Sequence, residues 1–528
     1  MKNNFLIILM LSIINAFNAF NQDDWFVISE PHNIKSITED SFYIYFLADN
    51  GIYAYDIITE DFLYNIELSS NLINEKKYFI HYHKGIDYFF ILTKNYLLYK
   101  SSVSSTWNEI SFSSLSISSI DSINRLGFTS DEVIIQTSVS YSVIDIFSMT
   151  SSNRKNINDL LNISWVNNGI ENLDLSDFYT IDNSIIYDNY IIDEADIKHY
   201  VISSFYDQYD NLWLGMDTGA IFKVGDFSYN IERLNIGPRI DNISNIFVDN
   251  KSNWYFADNY FRRSGEVSYN YNGYLLSIWN ENDNSWSHIP KNENIIINNI
   301  NINDIKKIDN FILIATLEGI IVYDVKYNSW YHNYKFLNVN NRAIWNIFFN
   351  NDKIYFSTSN GMVICDYQII NEELKFFKDE IILENSEIYD IKSYNKDIIF
   401  SSIDGLFSYS EDLGELILID KHIYYNIEFF DDYILGSRNN LWIINEKGRE
   451  LISNNVNYFN IISDNGKVCS TDLNQIKLID LYTKDEKDIP LNLFNVNGPI
   501  YTVDCDNEWL WFSNSNSIYF FKWTNYEN

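Results

Sequence analysis

The side chains best suited to chemistry are few and scattered. His81 and His83 stand two apart, and in an extended strand such a pair shares one face and could ligate a metal ion. The plainer expectation is a half-exposed strand carrying two polar residues, with no metal site. Asp207, Asp210 and Asn211 crowd one turn and offer oxygens to Ca²⁺. The spacing and terminal Glu of an EF-hand loop are missing, so a capped β-turn is expected there. Cys365, Cys469 and Cys505 form no C-x-x-C pair and have no His at zinc spacing. They are expected as buried small hydrophobes, with room for one bridge. No G-x-S-x-G, H-E-x-x-H, P-loop or Rossmann glycine pattern occurs, so no catalytic residue and no cofactor is assigned. With 72 acidic residues, a carboxylate pair suited to glycoside hydrolysis is not identifiable by position.

One stretch points to binding. Tyr260, Phe261, Arg262, Arg263, Tyr269 and Tyr271 fall in an expanded segment that sets two adjacent arginines in an acidic chain. Long loops on rigid scaffolds often carry binding residues, which makes these six the candidate site. The competing expectation is an elongated hairpin whose arginines pair with nearby carboxylates.

The elements that would position such groups repeat along the chain. From Ile302 the sequence runs apolar to Ile308, turns at Asp309-Asn310, and is densely apolar from Phe311 to Ala315. It turns again at Thr316-Leu-Glu-Gly319, is apolar from Ile320 to Tyr323, and ends on Ser329-Trp330-Tyr331. That is four strands and three turns. The order returns from Ile344 through Gly361 and from Ile388 through Gly405, with the glycines 42 and 44 positions apart. This is the period of a β-propeller blade. Gly at the central turn supplies positive φ without penalty, and Asn95, Asn440, Asn474 and Asn516 stand at or beside that place elsewhere. Extending the register gives eleven units, with 158–198 as a twelfth, irregular one. Tryptophans that open outer strands, at 107, 286 and 330, are expected to pack between neighbouring blades.

The stretch Ile202-Ser-Ser-Phe-Tyr-Asp-Gln-Tyr-Asp-Asn-Leu-Trp-Leu-Gly-Met-Asp-Thr-Gly-Ala-Ile-Phe222 resembles the repeats of two-component regulator propellers, found in periplasmic sensor regions of bacterial hybrid regulators and in related secreted proteins. Asp249-Asn-Lys-Ser-Asn-Trp254 and Asp506-Asn-Glu-Trp-Leu-Trp511 are looser copies. The resemblance implies an all-β propeller of 11–12 four-stranded blades. Two rings are expected, over 24–290 and 299–528, with one large ring as the alternative. The strand at Trp25 lacks three strands before it, and the last unit lacks a fourth; their pairing would close the structure. The resemblance is a fold signature and specifies no chemistry. No kinase, receiver or DNA-binding segment follows the repeats, so signal transduction by this polypeptide alone is not expected.

Composition agrees with this reading. Apolar residues make up 46% and aromatics 17% with only 5 prolines, which excludes a disordered or collagen-like chain. The 40 tyrosines by themselves carry no binding inference, because A/T-rich codons would enrich them. A net charge of -35 repels polyanions and argues against nucleic acid as a partner. Residues 1–19 read as a signal peptide: a Lys, an apolar run from Phe5 to Ile14, then small residues. No later segment is long and apolar enough to span a bilayer. The expected protein is therefore secreted or periplasmic, without a membrane span after signal removal, and non-catalytic. It would bind a protein or glycan through blade loops. The alternatives are a polysaccharide hydrolase or lyase and a structural envelope component.

Overall fold

The computed structural model describes residues 24–64, 76–104, 106–120, 123–157, 162–166, 173–180, 184–225, 229–240, 243–249, 251–258, 273–291, 302–331, 342–445, 447–462, 466–489, 491, 496, 498–514 and 517–526. The signal-peptide segment lies outside them. Among the described residues the strands form eleven antiparallel-dominated sheets, nine with four strands, one with five and one with seven. They are called blades 1 to 11 here, beginning at residues 36, 77, 123, 198, 243, 302, 344, 388, 426, 458 and 502. The segment 158–198 makes no separate blade among the described residues. Its strand Ser164–Val166 joins blade 3, while Tyr179–Thr180 and the hairpin Ile185–Ile186 with Tyr190–Ile192 widen blade 4 to seven strands.

Each blade is built the same way. Its second strand is an apolar run buried on both faces, as in Phe311–Thr316 of blade 6, where every residue is buried. Its outer strand is half exposed. The central turn is tied by a hydroxyl: Thr316 Oγ1 donates to the Gly319 carbonyl at 2.8 Å and accepts the Glu318 N–H at 3.1 Å. Thr358 and Gly361 repeat this at 2.7 Å, and Ser402 and Gly405 at 3.0 Å. At φ of +125°, +96° and +134°, these glycines occupy the left-handed region as expected. In blades 9 and 10 the positive φ falls on Asn439 and Leu473, one residue before Asn440 and Asn474.

By contact the chain forms two compact units. One comprises Ser29–Gly237 with Asn284–Trp286; the other comprises Met1–Ile28, Pro238–Asp283 and Ser287–Asn528. In the first, blades 4, 1, 2 and 3 pack in that order. Trp213 of blade 4 meets Phe46 and Tyr55 of blade 1, and Phe90 of blade 2 meets Phe128 of blade 3. In the second, blades 5 to 11 follow one another and the last returns to the first. Ser513 Oγ donates to the Ile243 carbonyl at 2.6 Å, and Trp511 meets Trp254 edge-on at 5.0 Å. This seven-bladed ring takes its missing outer strand from the N-terminus. Trp25–Ser29 pairs with Ser517–Phe521, Phe26 stacks on Phe520 at 4.5 Å, and Lys522 N–H reaches the Asp24 carbonyl. Blade 5 thus packs with the blades after it, whereas the sequence divides the chain near residue 290. The reason is packing across that break: Tyr255 and Leu276 of blade 5 share one buried cluster with Ile302, Ile305 and Ile314 of blade 6, and Asn245 Nδ2 donates to the Ile302 carbonyl at 2.6 Å.

Cys469 of blade 10 and Cys505 of blade 11 form a disulfide, in place of the two separate buried thiols expected. Both sit on facing buried positions of one cluster with Val503 and Leu510, and this packing aims the two sulfurs at each other. Cys365 is a buried free thiol.

Candidate functional site

In the seven-bladed ring, every first strand carries Asn or Asp just before an apolar residue: Asn245, Asp304, Asn346, Asp390, Asn426, Asn460 and Asp504. These side chains lace one blade to the next. Asp304 accepts the N–H of Ile305 at 2.9 Å and of Ile347, one blade on, at 2.8 Å. Asp390 does the same with Ile391 and Ile427, both at 2.9 Å. Asp504 takes the Cys505 N–H at 2.7 Å and the Asn460 amide. Burial pushes the carboxyls of Asp390 and Asp504 up to about 6, although backbone donors and Lys392 pull the other way. Two residues along its strand, Lys392 pairs with Glu428. Burial alone would lower this lysine, but Asp390 and Glu428 outweigh it and keep the ammonium protonated. The arrangement gives each carboxylate hydrogen bonds that hold the ring together, so its first role is closure.

A different constellation lies on blade 4, in the other unit. Strand Lys198–Tyr206 alternates strictly at its start, with Lys198 and Tyr200 outward and His199 and Val201 buried. On the buried side, His199 Nε2 lies 3.0 Å from Asp193 and its Nδ1 contacts Thr218 Oγ1. Arg233 reaches Asp193 at 2.6 Å and Glu30 at 3.1 Å. Burial would raise Asp193, but His199 and Arg233 hold its carboxyl well below the usual range. Burial, helped by Arg233, lowers His199 and keeps the imidazole neutral. On the outward side, Tyr190 lies directly across from Tyr200 with ring centroids 5.2 Å apart. Tyr187 stacks on Tyr190 at 4.5 Å and 12°, and Lys198 Nζ sits 5.7 Å over the Tyr190 ring. Tyr187 and Tyr200 remain 42% and 41% exposed, which leaves ring surface for a ligand. The buried ion network therefore fixes the hairpin that presents an aromatic ladder to solvent.

The expected binding residues Tyr260, Phe261, Arg262, Arg263, Tyr269 and Tyr271 lie outside the described residues. The strand of His81 and His83 is half-exposed as expected, with His81 half-buried and His83 buried. His81 stacks on Phe128 of blade 3 at 3.9 Å, and burial with His83 nearby pushes its imidazole down to about 3. His83 Nε2 meets the Thr129 carbonyl at 2.8 Å. The pair packs blade 2 against blade 3. Asp207 is a turn cap as expected, accepting the N–H groups of Tyr209 and Asn211 and the Trp213 indole at 2.8 to 2.9 Å. Asp249 and Asp506 cap the two looser copies in the same way. Among the described residues no group of three or more His, Cys, Asp or Glu is placed to hold a metal. No described helix is long and apolar enough to cross a membrane. Sequence reasoning missed both the belt and the ladder. The belt has a signal, Asn or Asp before an apolar residue once per period; the ladder shows only as Tyr-Asp-Asn-Tyr190 followed ten residues later by Tyr200.

No protein family matches the chain by sequence profile, and no curated protein matches it in sequence. Solved structures of similar fold include the extracellular domain of the one-component system BT4673 of B. thetaiotaomicron, at 14% identity and TM-score 0.41, covering 93% of this chain and 69% of that one. PorZ, a surface component of the type-IX secretion system of Porphyromonas gingivalis, matches at 10% identity and TM-score 0.45, covering 94% and 87%. The extracellular domain of the hybrid two-component system BT3049 of B. thetaiotaomicron matches at 12% identity and TM-score 0.40, covering 93% and 68%. At these identities the likeness concerns fold.

Proposed function

We propose that this chain is an exported binding propeller that takes a glycan, or the surface of another macromolecule, on the tyrosine ladder of blade 4. The observation that carries the reading is the departure of that blade from the common plan. A hairpin is added, pinned by Asp193, His199 and Arg233, and its outward face stacks Tyr187, Tyr190 and Tyr200. Tyrosine supplies rigid, amphipathic contact area at low entropic cost, and rings already held in place need no ordering when a ligand arrives. Export is supported by the signal-like residues 1–19 and by the disulfide, which persists in oxidising compartments. The segment with Arg262 and Arg263, outside the described residues, remains a separate candidate for binding on the strength of its sequence. The test is a glycan array followed by calorimetry. Tyr187→Ala with Tyr200→Ala should weaken the best ligand at least about tenfold, the loss of one to three kcal/mol typical of an aromatic contact. Unchanged affinity in that double variant would overturn the assignment.

A further inference from the structure

Ten of the blades close on an outer strand taken from the chain in order, and most of these strands carry a device against further pairing. The outer strands Glu373–Ile382, Gly448–Asn454 and Glu486–Asp488 hold charged residues along their length, Asn108–Ser111 and Ser151–Arg154 hold one each, and Asp61–Leu63 is only three residues long. Ser285–Pro290 ends on a proline. These are the usual means of blunting a sheet edge. Strand Glu415–Asp420 of blade 8 differs. It reads Glu-Leu-Ile-Leu-Ile-Asp, and its four central residues, Leu416, Ile417, Leu418 and Ile419, are 39%, 57%, 52% and 39% exposed. It is the terminal strand of its sheet, regularly paired with Phe407–Ser410 up to a register shift near Ile419. Its outer N–H and C=O row therefore stands beside a run of apolar side chains exposed on both faces.

We propose that this edge receives an extended strand of a partner protein by β-augmentation, the partner strand being apolar at its centre and basic at its ends. Main-chain hydrogen bonds along an open edge supply affinity, and side chains on alternate faces supply specificity. Charge selects the occupant. Glu415 and Asp412 lie at one end of the run, and Asp420, already in contact with His422 and Tyr424 and followed by Lys421, lies at the other, on a chain of net charge -35. Antiparallel pairing with a second copy would set Glu415 against the other copy's Asp420, and like charges directly opposite destabilise a strand pair. A strand with Lys or Arg at both ends meets the same carboxylates favourably. The inference does not depend on the ligand of the tyrosine ladder.

The full chain, titrated with fluorescent seven-residue peptides of alternating Val and Thr between terminal lysines, should bind them, and hydrogen exchange should slow at 415–420. Ile417→Lys should weaken binding about tenfold or more while leaving the melting temperature unchanged, since the side chain is exposed. Replacing the peptide's lysines by glutamates should weaken it by a similar factor. No binding of the lysine peptides, equal binding by wild type and Ile417→Lys, or protection confined elsewhere would overturn the proposal. So would a wild-type dimer in sedimentation that Ile417→Lys dissociates, because the occupant would then be a second copy.

Discussion

The two units join their blades by the same geometry with different chemistry. In the seven-bladed ring, carboxylates and amides on the first strands bridge to backbone groups of the next blade, as Asp304 and Asp390 do. In the four-bladed unit hydroxyls stand in those places. Ser36 Oγ donates to the Ile80 carbonyl at 3.1 Å, Thr38 Oγ1 accepts the Tyr82 N–H at 3.0 Å, and Ser203 Oγ donates to the Ile34 carbonyl at 2.6 Å. A hydroxyl bridge does not titrate in the physiological range, whereas a buried carboxylate does. The four-bladed unit buries Glu39, Lys77, Lys100 and Asp207 elsewhere, and sets one connected network of Asp193, His199 and Arg233 under the tyrosine ladder. The lacing thus carries titrating carboxyls in one unit and hydroxyls in the other, whose connected ion network lies instead beneath one hairpin.

The sharpest way to break this contrast is to unpair the hairpin's charge. Asp193→Ala leaves the buried Arg233 guanidinium with Glu30 as its remaining carboxylate and His199 Nε2 without its acid partner, and breaking such a network by removing one partner costs up to about 3–5 kcal/mol. Hydrogen exchange should show the loss in blades 4 and 1 with blades 5 to 11 unchanged. Equal loosening of both units would contradict the separate roles given to them.

The disulfide should act on the other side of the comparison. Cys469 and Cys505 are 36 positions apart, and closing a loop of that size stabilises by roughly 3–4 kcal/mol in the chain-entropy account. Reduction, or Cys469→Ala with Cys505→Ala, should lower the unfolding midpoint of the ring and leave blades 1 to 4 untouched. If thiol titration of the unfolded oxidised protein finds three free cysteines, the bond is absent.

Acid should move the two units in opposite directions. The folded carboxyl of Asp390 sits near 6 and its ordinary value is 3.8, so between these values the folded ring holds a proton that the unfolded chain has lost. Its stability therefore falls as pH rises from about 4 to 6, by on the order of 2–3 kcal/mol for this group, and is level above. Asp193 is lowered and His199 is lowered. The folded four-bladed unit thus binds fewer protons than its unfolded chain, and its stability is lost as pH falls below about 6.5 and again below about 4. Urea unfolding followed by exchange across pH 4–7 should show the opposite slopes, and Asp390→Asn should make the ring's shallower, with Asp504 supplying the rest. Parallel slopes would mean that the lacing carboxyls are not the buried groups described.

The blade rhythm was legible because it rests on local rules. Apolar runs of strand length, a hydroxyl before the central turn and Gly319, Gly361 and Gly405 at positive φ are each visible within a few residues. So was the terminal pairing, since Trp25 and the three strands after Ile500 are complementary remainders. What stayed hidden depends on contacts between units of the repeat. Packing of Tyr255 and Leu276 with Ile302, Ile305 and Ile314, together with Asn245 bonding to the Ile302 carbonyl, moves blade 5 into the ring, and nothing in the composition around 290–299 announces it. Cys469 and Cys505 each read as a small hydrophobe until two blades set them face to face. Tyr190 and Tyr200 become a ladder only through the register that pairs them across strands, and the chain has too many tyrosines for the pair to stand out.

The smallest expected effect concerns the turn itself. In blades 6, 7 and 8 the residue at positive φ is Gly, in blade 9 it is Asn439, and in blade 10 it is Leu473 at φ +81°. A leucine Cβ in the left-handed region approaches the following carbonyl, at a cost of about 1–2 kcal/mol that glycine avoids. Leu473 is 44% exposed, so its replacement also forfeits about 1 kcal/mol of burial. Against the gain stands as well the greater freedom of glycine in the unfolded chain, about 0.5–1 kcal/mol. Leu473→Gly should therefore leave the ring within about 0.5 kcal/mol of its present stability, whereas Gly361→Leu, whose Cβ would meet Ile381 Cγ2 at 2.7 Å, should destabilise it by several times more. A larger loss in Leu473→Gly would show that this side chain holds a packing contact the turn geometry does not require, and would set blade 10 apart from its neighbours.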